Sequence, residues 1–479
     1  MSKFYITTAI DYTNAPPHLG HALEKVQADA VARHRRALGE DVFFLTGADE
    51  HGVKIVRSAE AAGKEVKIFT DENVKLLKSL AEKLNISNDD FIRTSDKERH
   101  WPGAQALWKK LVEAGDIYKS KYKGFYCVGC EAYVTEKDLV DGNCPDHNQK
   151  PELIEEENYF FKLSKYAKEI ELRIKNNELR ILPESRKNEI LALLKREVED
   201  ISFSRPAEKL KNWGVPVPGD ESQLMYVWCD ALANYISALG YGSDDDKNFQ
   251  KFWPADLHVI GKDILRFHAI IWPAMLLSAG LKLPKTIFVH GHILSGGKKM
   301  SKTLGNVIDP FDLINEYGAD AVRYYLLREI MPFDDGDITL EKFKEAYNAN
   351  LANGLGNLTS RIMKMSEQHL INESLGGSTA KWRLSRQVEY DKFMDNFELN
   401  KAMDLIWKKI GALDLKIQET QPFKLVKTDE KKAKEILVEL VMGLSEIAEM
   451  LKPFLPQTSE KILAAIKENK MPEPLFLRK

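Results

Sequence analysis

The sequence of 479 residues lacks the features that mark several classes of protein. It has no uncharged apolar run of about 18 residues, so we expect no transmembrane helix. Residues 1–4 lead directly into a strand-like run and have none of the architecture of a signal peptide. Internal repeats and low-complexity stretches are absent as well. These absences favour a globular protein of the cytoplasm that does not contact the membrane.

An excess of one charge sign and a large number of cysteines are also missing. With 69 Lys and Arg against 72 Asp and Glu, the net charge is -3, which argues against unspecific adhesion to nucleic acids. Any contact with RNA must therefore use a local basic face. Only four cysteines are present, and three of them lie near one histidine, which suits a reducing compartment and a bound metal better than disulfides.

The hydrophobic pattern alternates between strand and helix periods over much of the chain. Strand-like runs flank an amphipathic stretch at 22–38, which favours right-handed β-α-β units and a parallel sheet. An irregular segment with a charged helix at 183–199 interrupts this pattern from 116 to 219, and the chain reads as helical from about 340 onward. The expected strands are 4–10, 42–46, 224–228, 257–260 and 286–289.

Residues 18–21, His-Leu-Gly-His, lie between the first expected strand and the helix that follows it. Gly20 allows the backbone to approach a ligand closely, and the start of a helix attracts phosphate through its free N–H groups and its dipole. The imidazoles of His18 and His21 add donors for the same anion. A histidine pair in this position is also compatible with a simple surface cap.

A second cluster of cations follows the last expected strand. Lys299 and Lys302 stand three residues apart, with Ser301 between them, on a segment preceded by Gly296 and Gly297. Alone, such a pair is compatible with a solvated loop. Together with the histidine motif, it predicts a site that brackets a triphosphate and stabilises the charge that develops as pyrophosphate leaves.

Two pairs of metal-binding residues stand at the spacing of a zinc knuckle. Cys127 and Cys130 are separated by two residues, as are Cys144 and His147, and thirteen residues lie between the pairs. Four such ligands with no open position describe a closed tetrahedral site, so we predict one structural zinc ion. A disulfide would leave an odd cysteine and no role for His147. Cys229 lies in an apolar segment and is expected in the core.

The histidine and lysine motifs resemble the two signatures of class I aminoacyl-tRNA synthetases, although Thr303 stands where that family usually has serine. Segments 9–12, 47–52, 226–232 and 260–268 are similar to those of the methionyl-tRNA synthetase family, and the likeness covers essentially the whole chain. By themselves, the aromatic residues of these segments would also fit an ordinary core. The knuckle resembles the one-zinc form of the same family.

The resemblance implies that the chain activates L-methionine with ATP to methionyl-adenylate and pyrophosphate, and transfers methionine to the 3′ end of tRNA(Met), including the initiator. Magnesium would enter with ATP and keep phosphate and water ligands. The implied methionine site consists of Asp49, which would hold the amino group, and of Ile10, Tyr12, Trp228, Ala231, Leu232, Tyr235, Ile264 and His268. The implied catalytic residues are His18, His21, Lys299 and Lys302. The implied ATP contacts are Gly20, Glu24, Gly261, Asp263, Gly291, His292, Ile293 and Ser301.

The helical end combines an apolar stripe with a polar face. Apolar residues recur from 351 to 365 at positions i, i+4, i+7, i+11 and i+14, which predicts one buried side. Asn353, Asn357 and Arg361 fall on another side, which is compatible with an ordinary polar surface or with reading of splayed bases. They match the anticodon-reading positions of the resembled family. Phe423 falls where that family typically has tryptophan, and it can stack on a base but lacks the indole N–H.

We therefore expect an α/β protein with a Rossmann-type parallel sheet, an inserted zinc-knuckle connective domain and a C-terminal α-helical bundle. The chain ends before the extra dimerising domain of some relatives, so we expect a monomer. Two alternatives stay open, namely a class I synthetase for another apolar or thiol amino acid, and a non-catalytic tRNA-binding homologue. The expected boundaries are 1–115 and 220–294 for the catalytic halves, 116–219 for the insert, 295–345 for the signature-loop and stem-contact region, and 346–479 for the anticodon-binding bundle.

Overall fold

The computed structural model describes residues 2–134, 136, 139–145, 148–196, 198–300, 306–370 and 388–479. These residues form two compact units, the first from 1–17, 39–80 and 87–290, and the second from 18–38, 81–86 and 291–479. Three predicted site residues, His147, Ser301 and Lys302, lie outside the described residues, and only the backbone of Lys299 is described.

The first unit is built around a six-stranded parallel sheet. Its strands are β1 (Lys3–Tyr12), β2 (Asp41–Asp49), β3 (Asp90–Arg93), β4 (Arg180–Leu182), β5 (Leu257–Gly261) and β6 (Thr286–His290). Their spatial order is β3-β2-β1-β5-β6-β4, and all neighbours are parallel. The direction of strand progression reverses between β1 and β5, and sheets of this kind bind ligands at such a point, beyond the carboxyl ends of the strands.

Helices of the first unit pack with this sheet into one hydrophobic core that contains Trp108, Tyr235 and Trp272. The expected strand 224–228 is wrong in its second half, because the strand ends at Met225 and a helix begins at Val227. The helices are Val53–Ala61, Val66–Lys83, His100–Glu113, Ala167–Lys175, Glu184–Leu194, Val227–Leu232, Asn234–Ser237, Lys247–Phe252 and Trp272–Ser278, with a π-helix at Phe267–Ile271 and 3-10 turns at Leu163–Tyr166, Ala207–Leu210 and Lys262–Ile264.

Residues 117–225 form two small antiparallel sheets and also supply β4 to the edge of the parallel sheet. The chain therefore passes from the insert into the main sheet and back before residue 219. The four-stranded sheet has the order Ala132–Val134, Ile117–Cys127, Glu152–Phe161 and Ile201–Ser202. The three-stranded sheet has the order Pro216–Val217, Asp220–Met225 and Ser204–Pro206.

The second unit is mainly helical, and the predicted apolar stripe is confirmed. All five of its residues are buried, although the first part is a π-helix rather than an α-helix. Among the helices that the structure describes, none has the length and apolar character needed to cross a membrane. The helices are Leu19–Ala37, Pro310–Tyr317, Ala319–Tyr324, Leu340–Ala346, Asn357–His369, Val388–Asp395, Leu399–Thr420, Pro422–Leu425, Glu430–Leu451 and Pro456–Glu468, with π-helices at Tyr325–Glu329 and Tyr347–Gly356. The short strands are Ile293–Ser295, Lys298–Lys299 and Gly336–Asp337.

A buried ion pair ties the first helix to the bundle of the second unit. Asp29 and Arg323 are both fully buried, with Oδ2 and Nη2 2.7 Å apart. Arg323 also donates to the carbonyl oxygens of Pro453 at 3.0 Å and Phe454 at 2.6 Å. Because a buried charge must be compensated, these contacts fix the helix Leu19–Ala37 against the end of the bundle.

Candidate active site

The helix Leu19–Ala37 begins at the histidine signature. His18 is its N-cap, and His18 Nδ1 accepts a hydrogen bond from Gly20 N at 3.1 Å. His21 Nδ1 accepts from His18 N at 3.1 Å, and the two rings stack with centroids 3.8 Å apart. With both Nδ1 atoms accepting, each neutral ring carries its proton on Nε2. Glu24 is buried on the same helix.

The lysine signature begins on a short hairpin of the second unit. Strand Ile293–Ser295 pairs with Lys298–Lys299 in antiparallel fashion. Gly296 and Gly297 form the turn, with φ of 62° and 71°, a region in which glycine is unstrained. Gly297 N donates to Asp337 Oδ1 at 2.8 Å, and this bond contributes most to holding the pKa of Asp337 below its usual range. The backbone at the start of the signature is therefore anchored.

Glycines at two predicted nucleotide contacts are required by their own surroundings. A Cβ on Gly291 would lie 2.2 Å from the carbonyl carbon of Asp334. At the carboxyl end of β5, a Cβ on Gly261 would lie 2.8 Å from Asp263 Oδ1. A side chain at position 291 would therefore collide with backbone and one at position 261 with the Asp263 side chain, and both glycines are buried.

Tyr235 and His268 form a polar pair within the predicted methionine site. Tyr235 Oη and His268 Nε2 lie 2.7 Å apart, and His268 Nδ1 lies 3.0 Å from the carbonyl oxygen of Ile264. Burial lowers the pKa of His268 to about 4, so the ring is neutral at pH 7. Because Nδ1 faces a carbonyl oxygen, it carries the proton, and the Tyr235 hydroxyl donates to Nε2.

Trp228 provides a flat apolar surface next to this pair. Its ring stacks on Phe267 with centroids 3.7 Å apart and meets His268 edge-on at 6.3 Å. Ala231 and Leu232 lie on the same short helix as Trp228 and are buried. The structure therefore brings together the predicted aromatic residues of the second half of the first unit, with Phe267 as an additional member.

The adjacent strands β1 and β2 end at the other predicted substrate contacts. Ile10 and Tyr12 are half-buried near the end of β1, and Tyr12 stands in register with Asp49 at the end of β2. Burial, followed by the charge of Asp230, raises the pKa of Asp49 well above its usual range. Within the described part of the chain, no cationic side chain pairs with Asp49. A ligand ammonium group would supply the missing charge.

Three of the four predicted zinc ligands meet in the insert. The Sγ atoms of Cys127, Cys130 and Cys144 all lie within 4.8 Å of one another, and those of Cys130 and Cys144 are 3.5 Å apart. Burial and then the neighbouring sulfurs raise the pKa of the Cys130 thiol. Three clustered sulfurs of this kind suit a soft cation such as zinc, which favours thiolates.

Removal of one of these sulfurs is expected to release the metal. Cys144→Ser should lower the zinc content measured by plasma mass spectrometry from one per chain towards zero, and should lower the melting temperature, since a closed site contributes folding free energy. Cys229→Ser is the matched control, because Cys229 is buried but lies outside the cluster. Equal metal content in the two variants would contradict the assignment.

The predicted RNA-reading residues of the second unit are accessible. Asn353 and Asn357 are exposed, and Phe423 is 48% exposed near the start of a short helix. Arg361 is half-buried and pairs through Nη1 with Asp414, a partner that the sequence did not indicate. The ion pair orients the guanidinium and leaves its remaining donors for another acceptor.

Known proteins resemble the chain along nearly all of its length. Residues 4–150 and 147–363 match the class I tRNA synthetases (M), and residues 378–475 match the anticodon binding domain of methionyl tRNA ligase. The methionine–tRNA ligase of Clostridium acetobutylicum is 47% identical over 471 residues, which cover 96% of this chain and 72% of that protein. The chain belongs to the methionyl-tRNA synthetase family.

Two further members of the methionyl-tRNA synthetase family support the same assignment. The methionine–tRNA ligase of Brucella suis is 43% identical over 96% of this chain and 91% of its own length. The methionyl-tRNA synthetase of Mycobacterium tuberculosis, solved with methionyl-adenylate, is 38% identical, with a TM-score of 0.89 over 97% of this chain and 93% of that one. The expected α/β fold with a parallel sheet and a helical C-terminal region is therefore confirmed.

One buried carboxylate of this family member, Asp230, is not among the predicted site residues. Asp230 lies 2.5 Å from His51 Nδ1 and 2.6 Å from His100 Nε2, and His100 Nδ1 lies 2.8 Å from Ser237 Oγ. Burial opposes ionisation of Asp230, but the charges and hydrogen bonds of the two histidines outweigh it and keep its pKa below the usual range. The network fixes the helix of Trp228 against the segment that follows β2.

Proposed function

We propose that this member of the methionyl-tRNA synthetase family is a methionine–tRNA ligase. It activates L-methionine with ATP to methionyl-adenylate and pyrophosphate, and then transfers methionine to the 3′ end of tRNA(Met), including the initiator. The identity shared with methionine–tRNA ligases along nearly the whole chain carries this conclusion. It disfavours both alternatives, a synthetase for another apolar or thiol amino acid and a non-catalytic homologue.

The methionine side chain is proposed to lie against Trp228, Tyr235 and His268, with its ammonium group on Asp49. The neutral histidine and the tyrosine hydroxyl satisfy each other, so the wall presented to the thioether is aromatic and uncharged. Each contact between sulfur and an aromatic ring favours methionine by about 0.3–1.5 kcal/mol. The remaining residues proposed for this wall are Ile10, Tyr12, Ala231, Leu232 and Ile264.

The methionine carboxylate attacks the α-phosphorus of ATP, the bond to the bridging oxygen breaks, and pyrophosphate leaves. Since the carboxylate is already ionised, the protein needs no general base, and catalysis depends on positioning and electrostatics. We propose that His18, His21, Lys299 and Lys302 stabilise the charge on the phosphates. The remaining proposed ATP contacts are Gly20, Glu24, Gly261, Asp263, Gly291, His292, Ile293 and Ser301.

Two metals are proposed, with different tasks. Magnesium arrives with ATP and is held through phosphate oxygens and water rather than by a protein cage. Zinc is held by Cys127, Cys130, Cys144 and His147, and it supplies no reaction chemistry but stabilises the fold of the insert.

Amino-acid-dependent ATP–pyrophosphate exchange tests the activity. Methionine alone should support exchange when the purified protein is offered each amino acid separately. Exchange with a different amino acid would reject the substrate, and the absence of exchange with every amino acid would favour a non-catalytic tRNA-binding protein.

The polar face of the second unit is proposed to read the anticodon of tRNA(Met), with Asn353, Asn357, Arg361 and Phe423 as its contacts. Asn357→Ala should raise the tRNA KM in aminoacylation about tenfold, since one base contact is worth about 1–3 kcal/mol. Exchange without tRNA should not change. Gln368→Ala is the matched control, because this amide is exposed further along the same helix. An equal rise of the tRNA KM in both variants would contradict the assignment of Asn357.

We also propose that the protein is a cytoplasmic monomer, in a compartment that keeps its free cysteines reduced. Sedimentation at micromolar concentration should give the mass of one chain, and a dimer would refute the proposal.

We propose the following domain boundaries. The catalytic halves are 1–115 and 220–294, the insert is 116–219, the signature-loop region is 295–345 and the anticodon-binding bundle is 346–479.

A further inference from the structure

Glu131 directly follows the zinc ligand candidate Cys130, and its carboxylate accepts hydrogen bonds from Tyr12 and Lys54 elsewhere in the first unit. Glu131 is only 4% exposed. Its backbone has a φ of 50°, in the left-handed region that residues other than glycine rarely adopt. The turn of the knuckle therefore presents this carboxylate to the interior of the first unit.

Three elements of the first unit converge on Glu131. Tyr12 Oη, at the end of β1, donates to Glu131 Oε1 at 2.9 Å. Lys54 N, in the first turn of the helix Val53–Ala61, donates to the same oxygen. Tyr226 Oη, from the residue that precedes the helix of Trp228, donates to the backbone carbonyl oxygen of Glu131. Each of these elements carries or adjoins a residue of the proposed methionine site.

Gly52 makes the contact between Tyr12 and Glu131 possible. A Cβ on Gly52 would lie 2.5 Å from Tyr12 Oη and 2.9 Å from Glu131 Oε1. Gly52 has a φ of 113° and stands directly before the helix Val53–Ala61, three residues after Asp49. The segment after β2 is thus shaped so that the tyrosine hydroxyl and the carboxylate can meet.

We propose that Glu131 is a positioning residue through which the insert sets the geometry of the methionine site. It holds the Tyr12 hydroxyl, the segment that follows Asp49 and the start of the helix that carries Trp228. This inference rests on the proposed methionine site. Glu131 is not among the proposed contacts of ATP or methionine, so its influence must appear in methionine affinity through the residues that it holds.

Equilibrium binding of methionine, measured by isothermal titration calorimetry, tests the inference. Glu131→Ala should raise the methionine Kd about tenfold or more, because it removes the acceptor of the hydrogen bonds from Tyr12 Oη, Lys54 N and Tyr126 Oη. Glu131→Gln keeps a carbonyl oxygen for Tyr12 and should recover most of the affinity. The ATP KM in exchange and the zinc content should stay at the wild-type values in both variants.

Tyr12→Phe keeps the ring and removes only the hydroxyl, so it tests the contact even where Glu131→Ala does not fold. It should raise the methionine Kd, and the rise in the double variant with Glu131→Gln should be smaller than the product of the two single-variant rises. Glu155→Gln is the matched control, because this carboxylate lies in the same insert but is exposed and pairs only with Lys123 among the described residues, at 3.3 Å.

Methionine Kd values of Glu131→Ala and Tyr12→Phe equal to that of Glu155→Gln would overturn the inference. An equal rise of the methionine Kd and the ATP KM, or a loss of zinc, would also overturn it, since either marks a merely structural role. Failure of the proposed function is distinguishable, because in that case the wild-type protein itself would give no methionine-dependent exchange.

Discussion

Lys302→Ala is expected to slow methionine-dependent ATP–pyrophosphate exchange by about 100- to 1,000-fold, the usual effect of removing one donor that stabilises developing charge. The ammonium group is needed most when pyrophosphate separates and its negative charge grows. The methionine Kd should therefore stay within about twofold of the wild-type value, because the proposed role of this group concerns the phosphates and not the amino acid. The effect should appear in kcat measured at saturating ATP and methionine.

Lys298→Ala is the matched control for this prediction. Lys298 is exposed on the hairpin that leads into the signature, so this variant removes the same charge from a neighbouring position. It should leave the exchange rate close to that of the wild type. A loss of the same size in both variants, or a Lys302→Ala effect confined to the ATP KM, would contradict the proposed role.

Asp49→Asn is expected to weaken methionine binding by about 2–5 kcal/mol, or roughly 30-fold to several thousand-fold, as when one partner of a buried charge pair is removed. The amide keeps the size of the side chain but cannot balance the ammonium group of methionine. Calorimetric titration of methionine checks the change. Asp41→Asn is the control, because Asp41 begins the same strand and pairs with Lys251 away from the proposed site.

The same carboxylate predicts how methionine affinity depends on pH. Burial raises the pKa of Asp49 in the free protein, and the ammonium group of methionine binds only the ionised form. Methionine binding should therefore release a proton, and affinity should fall as the pH decreases through the raised pKa and remain constant above it. Titration in two buffers of different ionisation enthalpy measures the proton release. If proton release on methionine binding persists in Asp49→Asn, Asp49 is not the group that releases the proton.

The central strands could be predicted because parallel strands buried on both faces leave continuous apolar runs. β1, β2, β5 and β6 begin and end within three residues of their expected bounds. β3 and β4 were not predicted, since four and three residues are too few to show a period. The expected strand 224–228 failed because its apolar run continues without a break into a helix, and periodicity alone does not separate the two.

The site residues could be predicted where they belong to short local motifs, as the histidine and cysteine pairs do. Contacts between residues that are distant in sequence could not be predicted. Glu131 meets Tyr12 across 119 positions of sequence, and Asp230 meets His51 across 179. No local pattern in a single sequence marks such partners, because each residue alone looks like an ordinary polar position. For the same reason, the sequence did not indicate Asp414 as the partner of Arg361.

The buried Arg323 limits how chimeras between members of the family can be assembled. A graft of residues 346–479 alone would place Arg323 against a foreign turn at 453–454, whose carbonyl oxygens it requires. Arg323 would keep Asp29 and the carbonyl oxygen of Leu84 as acceptors, but each acceptor that the foreign turn fails to place would cost about 1.5–3 kcal/mol. Exchange of 18–38 and 81–86 together with 291–479 keeps the ion pair and all three carbonyl acceptors in one parental background. The part of the chain that can be exchanged as a unit is therefore discontinuous in sequence, and it includes the histidine motif together with the bundle.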